Sequence, residues 1–177
     1  THSAANTPHT LAVRRGDGEV VATLVDDSVP LLEDFELAKT EFVTFTVEDG
    51  IELNAFFILP PDFDPKKKYP VIAYGYGNAG SQIVVNRWGT QRGPTQDLWH
   101  RYLAQQGYVV FAMDNRTTAG RGKVAKNLTY GEYGKYAVLD YIEGVDFLKS
   151  RPWIDGDRIG FWGWSGGGYL AAALMTK

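Results

Sequence analysis

Near its end the chain runs Ile159-Gly160-Phe161-Trp162, an apolar strand-like stretch. It then breaks into Gly163-Trp164-Ser165-Gly166-Gly167-Gly168, and Leu170-Ala171-Ala172-Ala173-Leu174 follows as a helix former. No other stretch constrains the fold as tightly. A strand that turns into a helix within five residues must place its middle residue in a strained backbone conformation. Glycines two before and two after that residue let neighbouring backbones pass without a Cβ between them. The pattern Gly-x-Ser-x-Gly in this setting projects the serine hydroxyl above the carboxyl edge of a sheet, at a helix N-terminus. Backbone N–H donors and the helix dipole there favour developing negative charge. Glycine-rich turns of this kind also cradle phosphates, or simply pack tightly. A Walker-type loop is excluded, because no Gly-Lys-Ser/Thr ending is present, and no Gly-x-Gly-x-x-Gly follows the first parallel strand to suggest a dinucleotide site.

The strand–helix alternation upstream supports the first alternative. "VIAYGYG" is an apolar run dissolving into a glycine-rich loop, and "YVVFAMDNR" is a second, which leads into a polar loop. Between them, Leu98, Trp99, Tyr102 and Leu103 are spaced for one helical face, with Gly107 as the stop. "KYAVLDYIEGVDFLKS" is amphipathic and helical. Strand, helix, strand, helix, strand, helix is the pattern of parallel βαβ crossovers. "EFVTFTV" and "IELNAFFILP" alternate in period two and predict an antiparallel edge pair. The expected class is therefore α/β, a mostly parallel sheet with flanking helices.

The first forty residues differ. "TLAVRR" and "EVVATLV" flank Gly16-Asp17-Gly18 as a hairpin, and "DDSVPLLEDFELAKTE" reads as a connector with one helical turn. Composition narrows the function classes. A net charge of −3 gives no basic footprint for nucleic acid, and no apolar run approaches a bilayer span. The absence of cysteine removes disulfides, thiolate metal sites and cysteine nucleophiles together. No metal or other cofactor is expected. The compartment is not set by composition; a periplasmic or secreted location is favoured over the cytoplasm. "NLT" at Asn127 matches a glycosylation acceptor, a triplet frequent by chance.

A serine nucleophile needs a base and a group to orient that base. The histidines are His2, His9 and His100, and all precede Ser165. His100 is expected at a surface or boundary position on its helix, and His2 and His9 in loops. No Asp, Glu or His follows Ser165, so the triad is expected to be incomplete within these residues. Arg116 lies in a loop at a strand's carboxyl end, as a salt bridge, a loop anchor or a substrate contact. Tyr76, read alone, is a strand-end aromatic that caps the core; Trp164 is expected beneath the turn and Tyr169 in the core.

The segments "YPVIAYGYGNAGSQ", "YLAQQGYVVFAMDNR", "VDFLKSRPWIDGDRIGFWGWSGGGY" and "HSAANTP" together resemble the prolyl oligopeptidase family of serine peptidases, in its dipeptidyl peptidase IV-like branch. The resemblance implies a β-propeller followed by an α/β-hydrolase domain. Residues 1–30 would be closing propeller strands, 31–40 a connector, and 41–177 the N-terminal part of the catalytic domain. Further propeller and C-terminal catalytic portions of the same polypeptide would complete the enzyme. It also implies a peptide substrate, a homodimer of the complete enzyme, and roles for three residues. Ser165 would be the nucleophile, while the Gly166 N–H and the Tyr76 hydroxyl would be oxyanion donors. The chain departs from the branch at Gly166, where a tyrosine is usual, at "GNAG" after Tyr76, and at "DNRTTAGRG". An acylaminoacyl peptidase, an esterase of the same fold, and a non-catalytic fragment remain alternatives.

Overall fold

A computed structural model describes the chain except residues 27, 77–78 and 90–93, and for 94–96 it describes the backbone alone. Three antiparallel strands come first: β1 (His2–Ala4), β2 (Thr7–Arg14) and β3 (Val20–Val25), in the order β1-β2-β3. The Gly16-Asp17-Gly18 hairpin lies where it was read, with Gly18 at φ 94°. His2 and His9 are therefore on strands, not in loops, and both are exposed. The connector carries one 3₁₀ turn, Pro30–Leu32.

The second sheet is built from β4 (Thr40–Thr46), β5 (Glu52–Ile58), β6 (Tyr69–Tyr74), β7 (Val109–Met113) and β8 (Ile154–Trp162), in the order β4-β5-β7-β6-β8. β4 and β5 form the antiparallel edge expected of their alternation, turning at Gly50 with φ 85°. β5 also pairs antiparallel with β7, so the sheet is mixed; only β7, β6 and β8 run parallel.

Period-two alternation sorts the core onto two faces. Val109, Phe111 and Met113 of β7 point to one face, with Leu53, Ala55 and Phe57 of β5. Val110 and Ala112 point to the other, with Phe56 and Ile58. Helix α1 (Pro94–Gln105) covers the second face through Ala104, and α3 (Lys135–Lys149) and α4 (Gly166–Leu174) cover the first through Tyr141, Leu148 and Leu170. A short helix, α2 (Gly122–Asn127), was not anticipated from the sequence.

Helix α1 has the predicted period but a different phase. Trp99 and Tyr102 face solvent, their rings 5.9 Å apart. The buried face is Asp97, His100, Arg101 and Ala104. Burying an ion pair is tolerable because its donors are satisfied. The Arg101 Nε donates to Asp97 at 2.7 Å, its Nη2 to the Ala5 carbonyl at 2.7 Å, and its Nη1 to the Ala38 carbonyl. Asn6 adds a reciprocal pair with the Thr40 backbone, at 2.9 and 2.8 Å. The first sheet is thus fastened to the second by buried polar contacts.

Strand order also explains where a site can form. From β6 the chain moves to β7 through α1, then returns past β6 to β8 through α3. With right-handed crossovers, reversing the direction of travel places the two helices on opposite faces. β6 and β8 are neighbours whose following helices, α1 and α4, leave on opposite faces. A crevice opens at their carboxyl ends, the usual binding position in open parallel sheets. Tyr76 follows β6 and Ser165 follows β8.

Candidate active site

Ser165 has φ 54° and ψ −115°, the only non-glycine residue with positive φ among the described residues. It caps the N-terminus of α4 and is exposed. Such a conformation costs on the order of 1–3 kcal/mol and persists only where the surroundings enforce it. The surroundings here are backbone. A Cβ on Gly163 would lie 2.5 Å from the Gly167 carbonyl carbon and oxygen. A Cβ on Gly167 would run into the Gly75 carbonyl oxygen and lie 3.3 Å from the Tyr76 Cα. Both glycines of the pattern are therefore required by packing, and the second seats the start of α4 directly on the end of β6. Ser165 and Tyr76 share one edge of the sheet.

The N–H groups of Gly167 and Gly168 turn back to the Trp164 and Ser165 carbonyls, at 2.8 and 2.9 Å. Gly166 is the first residue of α4, where helix geometry provides no acceptor for the N–H. Tyr76 is half-buried against the cluster formed by Tyr74, Ile83, Val84 and Ala104. Tyr141 ties the strand ends together beneath it, its hydroxyl donating to the Met113 carbonyl at 2.6 Å and approaching the Tyr74 carbonyl at 3.5 Å. It fills the space a side chain at Gly75 would need.

Several sequence expectations are corrected. Trp164 does not pack beneath the turn; it is 69% exposed. Tyr169 is half-exposed against Tyr133, with ring centroids 5.3 Å apart, rather than in the core. His100 is fully buried, 5.2 Å from the Tyr74 ring and 5.5 Å from that of Trp162. Burial lowers its pKa to about 4, which keeps the imidazole neutral, and neither nitrogen has a hydrogen-bond partner among the described residues. Among the described residues, no histidine or carboxylate is hydrogen-bonded to Ser165. Part of the altered "GNAG" loop, Gly77 and Asn78, lies outside the described residues.

Arg116 is committed to carboxylates on α3 and in the β4–β5 turn. Its backbone N–H donates to Asp140 at 2.7 Å, its Nε and Nη2 to the same carboxylate at 2.8 and 2.6 Å, and its Nη1 to Asp49. Those partners hold the guanidinium firmly protonated, and Arg116 in turn lowers the Asp49 carboxyl. The geometry is that of a loop anchor. Sequence reading missed Asp140, although a signal was present: it falls on the helical face of Ala137, Val138, Tyr141 and Gly144. A carboxylate on an apolar face needs a buried cation. Asp140→Ala is expected to cost roughly 3–5 kcal/mol by leaving Arg116 unpaired, measured by urea unfolding. A loss under about 1 kcal/mol would mean that the pair is solvated.

A strained serine seated by backbone contact at the switch point of parallel strands places the chain in the class of α/β folds that carry a nucleophile elbow. Comparison with known proteins narrows the class. Residues 94–177 match the prolyl oligopeptidase family. A probable dipeptidyl peptidase 4 of Aspergillus flavus is 30% identical over the whole chain, which spans 23% of that relative. A probable dipeptidyl-aminopeptidase B of Botryotinia fuckeliana is 38% identical over 80% of the chain and 15% of its own length. The crystal structure of a putative dipeptidyl aminopeptidase IV from Bacteroides ovatus superposes with a TM-score of 0.86 at 34% identity, over 98% of this chain and 24% of that one. Dipeptidyl peptidase 4 of Porphyromonas gingivalis gives 0.85 at 35%, with the same coverage. The chain is similar to the prolyl oligopeptidase family and spans about a quarter or less of these relatives. No helix among the described residues is long and apolar enough to cross a membrane.

Proposed function

We propose that Ser165 is the nucleophile of a serine peptidase that releases dipeptides from short peptides, acting within a longer polypeptide. The observation that carries this is the φ of 54° at Ser165, enforced by Gly163 and Gly167 beside Tyr76. In the mechanism, the Ser165 Oγ attacks the scissile carbonyl carbon. Its proton passes to a histidine supplied by the rest of the polypeptide and oriented by an aspartate there. The carbonyl oxygen becomes an oxyanion that accepts hydrogen bonds from the Gly166 N–H and the Tyr76 hydroxyl. Collapse expels the amine, which takes the proton from the histidine and leaves an ester on Ser165. Water, deprotonated by the same histidine, attacks that ester through a second oxyanion and frees the acid and the serine.

Residues 1–30 are read as propeller strands and 41–177 as the first part of the hydrolase domain. The bare apolar side chains of Leu11, Val13, Val20, Val21, Leu24 and Val25 support the first assignment, because they await other strands. The 177 residues alone are expected to react far more slowly with fluorophosphonates than the complete enzyme, since no histidine or carboxylate among the described residues is hydrogen-bonded to Ser165. The bare Gly166 beside Ser165 favours one second reading, an acylaminoacyl peptidase or esterase, whose pocket needs no ring there.

Tyr76→Phe tests the oxyanion assignment. Loss of one donor is expected to lower kcat by about 10²–10³-fold with KM little changed. An unchanged kcat would reassign Tyr76 to packing. Gly-Pro, acyl-amino and ester substrates given to the complete enzyme separate the specificities; only Gly-Pro turnover sustains the dipeptidyl reading.

A further inference from the structure

Asp114 follows the last residue of β7 and is 2% exposed. Its backbone N–H is bonded to the Asn54 carbonyl at 2.9 Å, so sheet pairing makes no demand on the side chain. The carboxylate instead reaches the segment that follows Tyr76. Oδ1 accepts the Ile83 N–H at 2.8 Å and Oδ2 the Val84 N–H at 3.2 Å. Ile83 and Val84 are buried in the cluster against which Tyr76 packs.

Two successive N–H groups converging on two oxygens suit an ionised carboxyl best. A neutral acid carries a proton on one oxygen and an amide replaces one oxygen with an N–H donor, so either weakens one of the two bonds. We propose that the Asp114 carboxylate is a positioning residue that clamps the Ile83–Val84 segment, and with it Tyr76, so that full oxyanion stabilisation requires its ionised form. This rests on the reading of Tyr76 given above.

Electrostatics make the clamp titratable. Burial raises the Asp114 pKa to about 6, opposed by the two N–H bonds and by Arg121. Arg121 lines a polar hollow beside the carboxylate with Glu52, Asn54, Gln82 and Thr118. From α3, the buried Tyr141 phenol faces it and stays neutral, while Asp140 is committed to Arg116. The sign is unusual. A carboxyl with a raised folded-state pKa contributes stability below the unfolded value of 3.8, and loses it as pH rises through about 6. Acid therefore releases the clamp without weakening the global fold through this group, which separates the effect from acid unfolding.

Hydrogen exchange on the complete wild-type polypeptide reads this directly. Corrected for intrinsic rates, protection of the Ile83 and Val84 amides is expected to fall by about tenfold between pH 7 and pH 5. The Val110 and Ala112 amides of β7 should hold. Flat protection at Ile83 and Val84 overturns the clamp. Asp114→Asn, near in shape, is expected to show low protection at every pH. It should also lower kcat about tenfold with KM nearly unchanged, and to lose the ionisation near pH 6 from the acid limb of kcat. Exchange that titrates while kcat ignores Asp114→Asn overturns the positioning role. Failure of the Tyr76 assignment has a different signature: Tyr76→Phe leaves kcat intact while exchange at Ile83 and Val84 still follows pH.

Discussion

Replacing Ser165 with alanine in the complete polypeptide is expected to lower kcat by roughly 10⁴–10⁶-fold while leaving KM nearly unchanged. On the proposed mechanism the Ser165 Oγ forms the covalent bond, and the alanine variant lacks it. The oxyanion donors and the binding surface stay in place, so a residual rate above that of water should survive. A second substitution separates chemistry from folding. Ser165→Gly removes the same nucleophile but relieves a backbone strained at φ 54°. It should be as inactive as the alanine variant, yet more stable by on the order of 1 kcal/mol. Activity near the wild-type level in either variant would place the nucleophile elsewhere. Equal stability of the two would mean that the turn is not strained.

Gly167→Ala is the other large effect. The added methyl would meet the Gly75 carbonyl oxygen, a backbone atom with no rotamer by which to retreat. Helix α4 would have to lift off the end of β6 and carry Ser165 away from Tyr76. A loss of about 3 kcal/mol or more is expected, with kcat down about 10²-fold from misplacement alone. Gly144→Ala is the control. Its Cβ would lie 2.6 Å from the Met113 Sδ, the far end of a flexible side chain. That side chain can move, so the cost should stay below about 1.5 kcal/mol. If the two variants were equally mild, the close seating of α4 on β6 would be wrong.

Much of this was legible because it is local. The elbow is written in five consecutive residues, and the apolar runs of β6, β7 and β8 declare buried strands. What stayed hidden depends on distant partners. The period of α1 could be read, but not its phase. Asp97 and Arg101 turn inward because carbonyls at Ala5 and Ala38 are there to receive the guanidinium. Trp99 and Tyr102, apolar by composition, are left outside. Strand order was hidden for the same reason, since nothing near Val109 announces that β7 will lie between β5 and β6. Asp114, after a strand, carries no local mark of burial in the sequence, and Asp140 only its place on a helix's apolar face. Each is buried by a group from elsewhere, the backbone of Ile83 and Val84 in one case and Arg116 in the other. His100 looked like a surface histidine until Tyr74 and Trp162 closed over it.

The most direct measurement is the site of covalent capture. The complete enzyme, treated with a limiting fluorophosphonate and digested, should carry its label on Ser165, with activity lost in proportion to labelling. A label on another residue, or full inactivation with the Ser165 peptide unmodified, would contradict the assignment of the nucleophile.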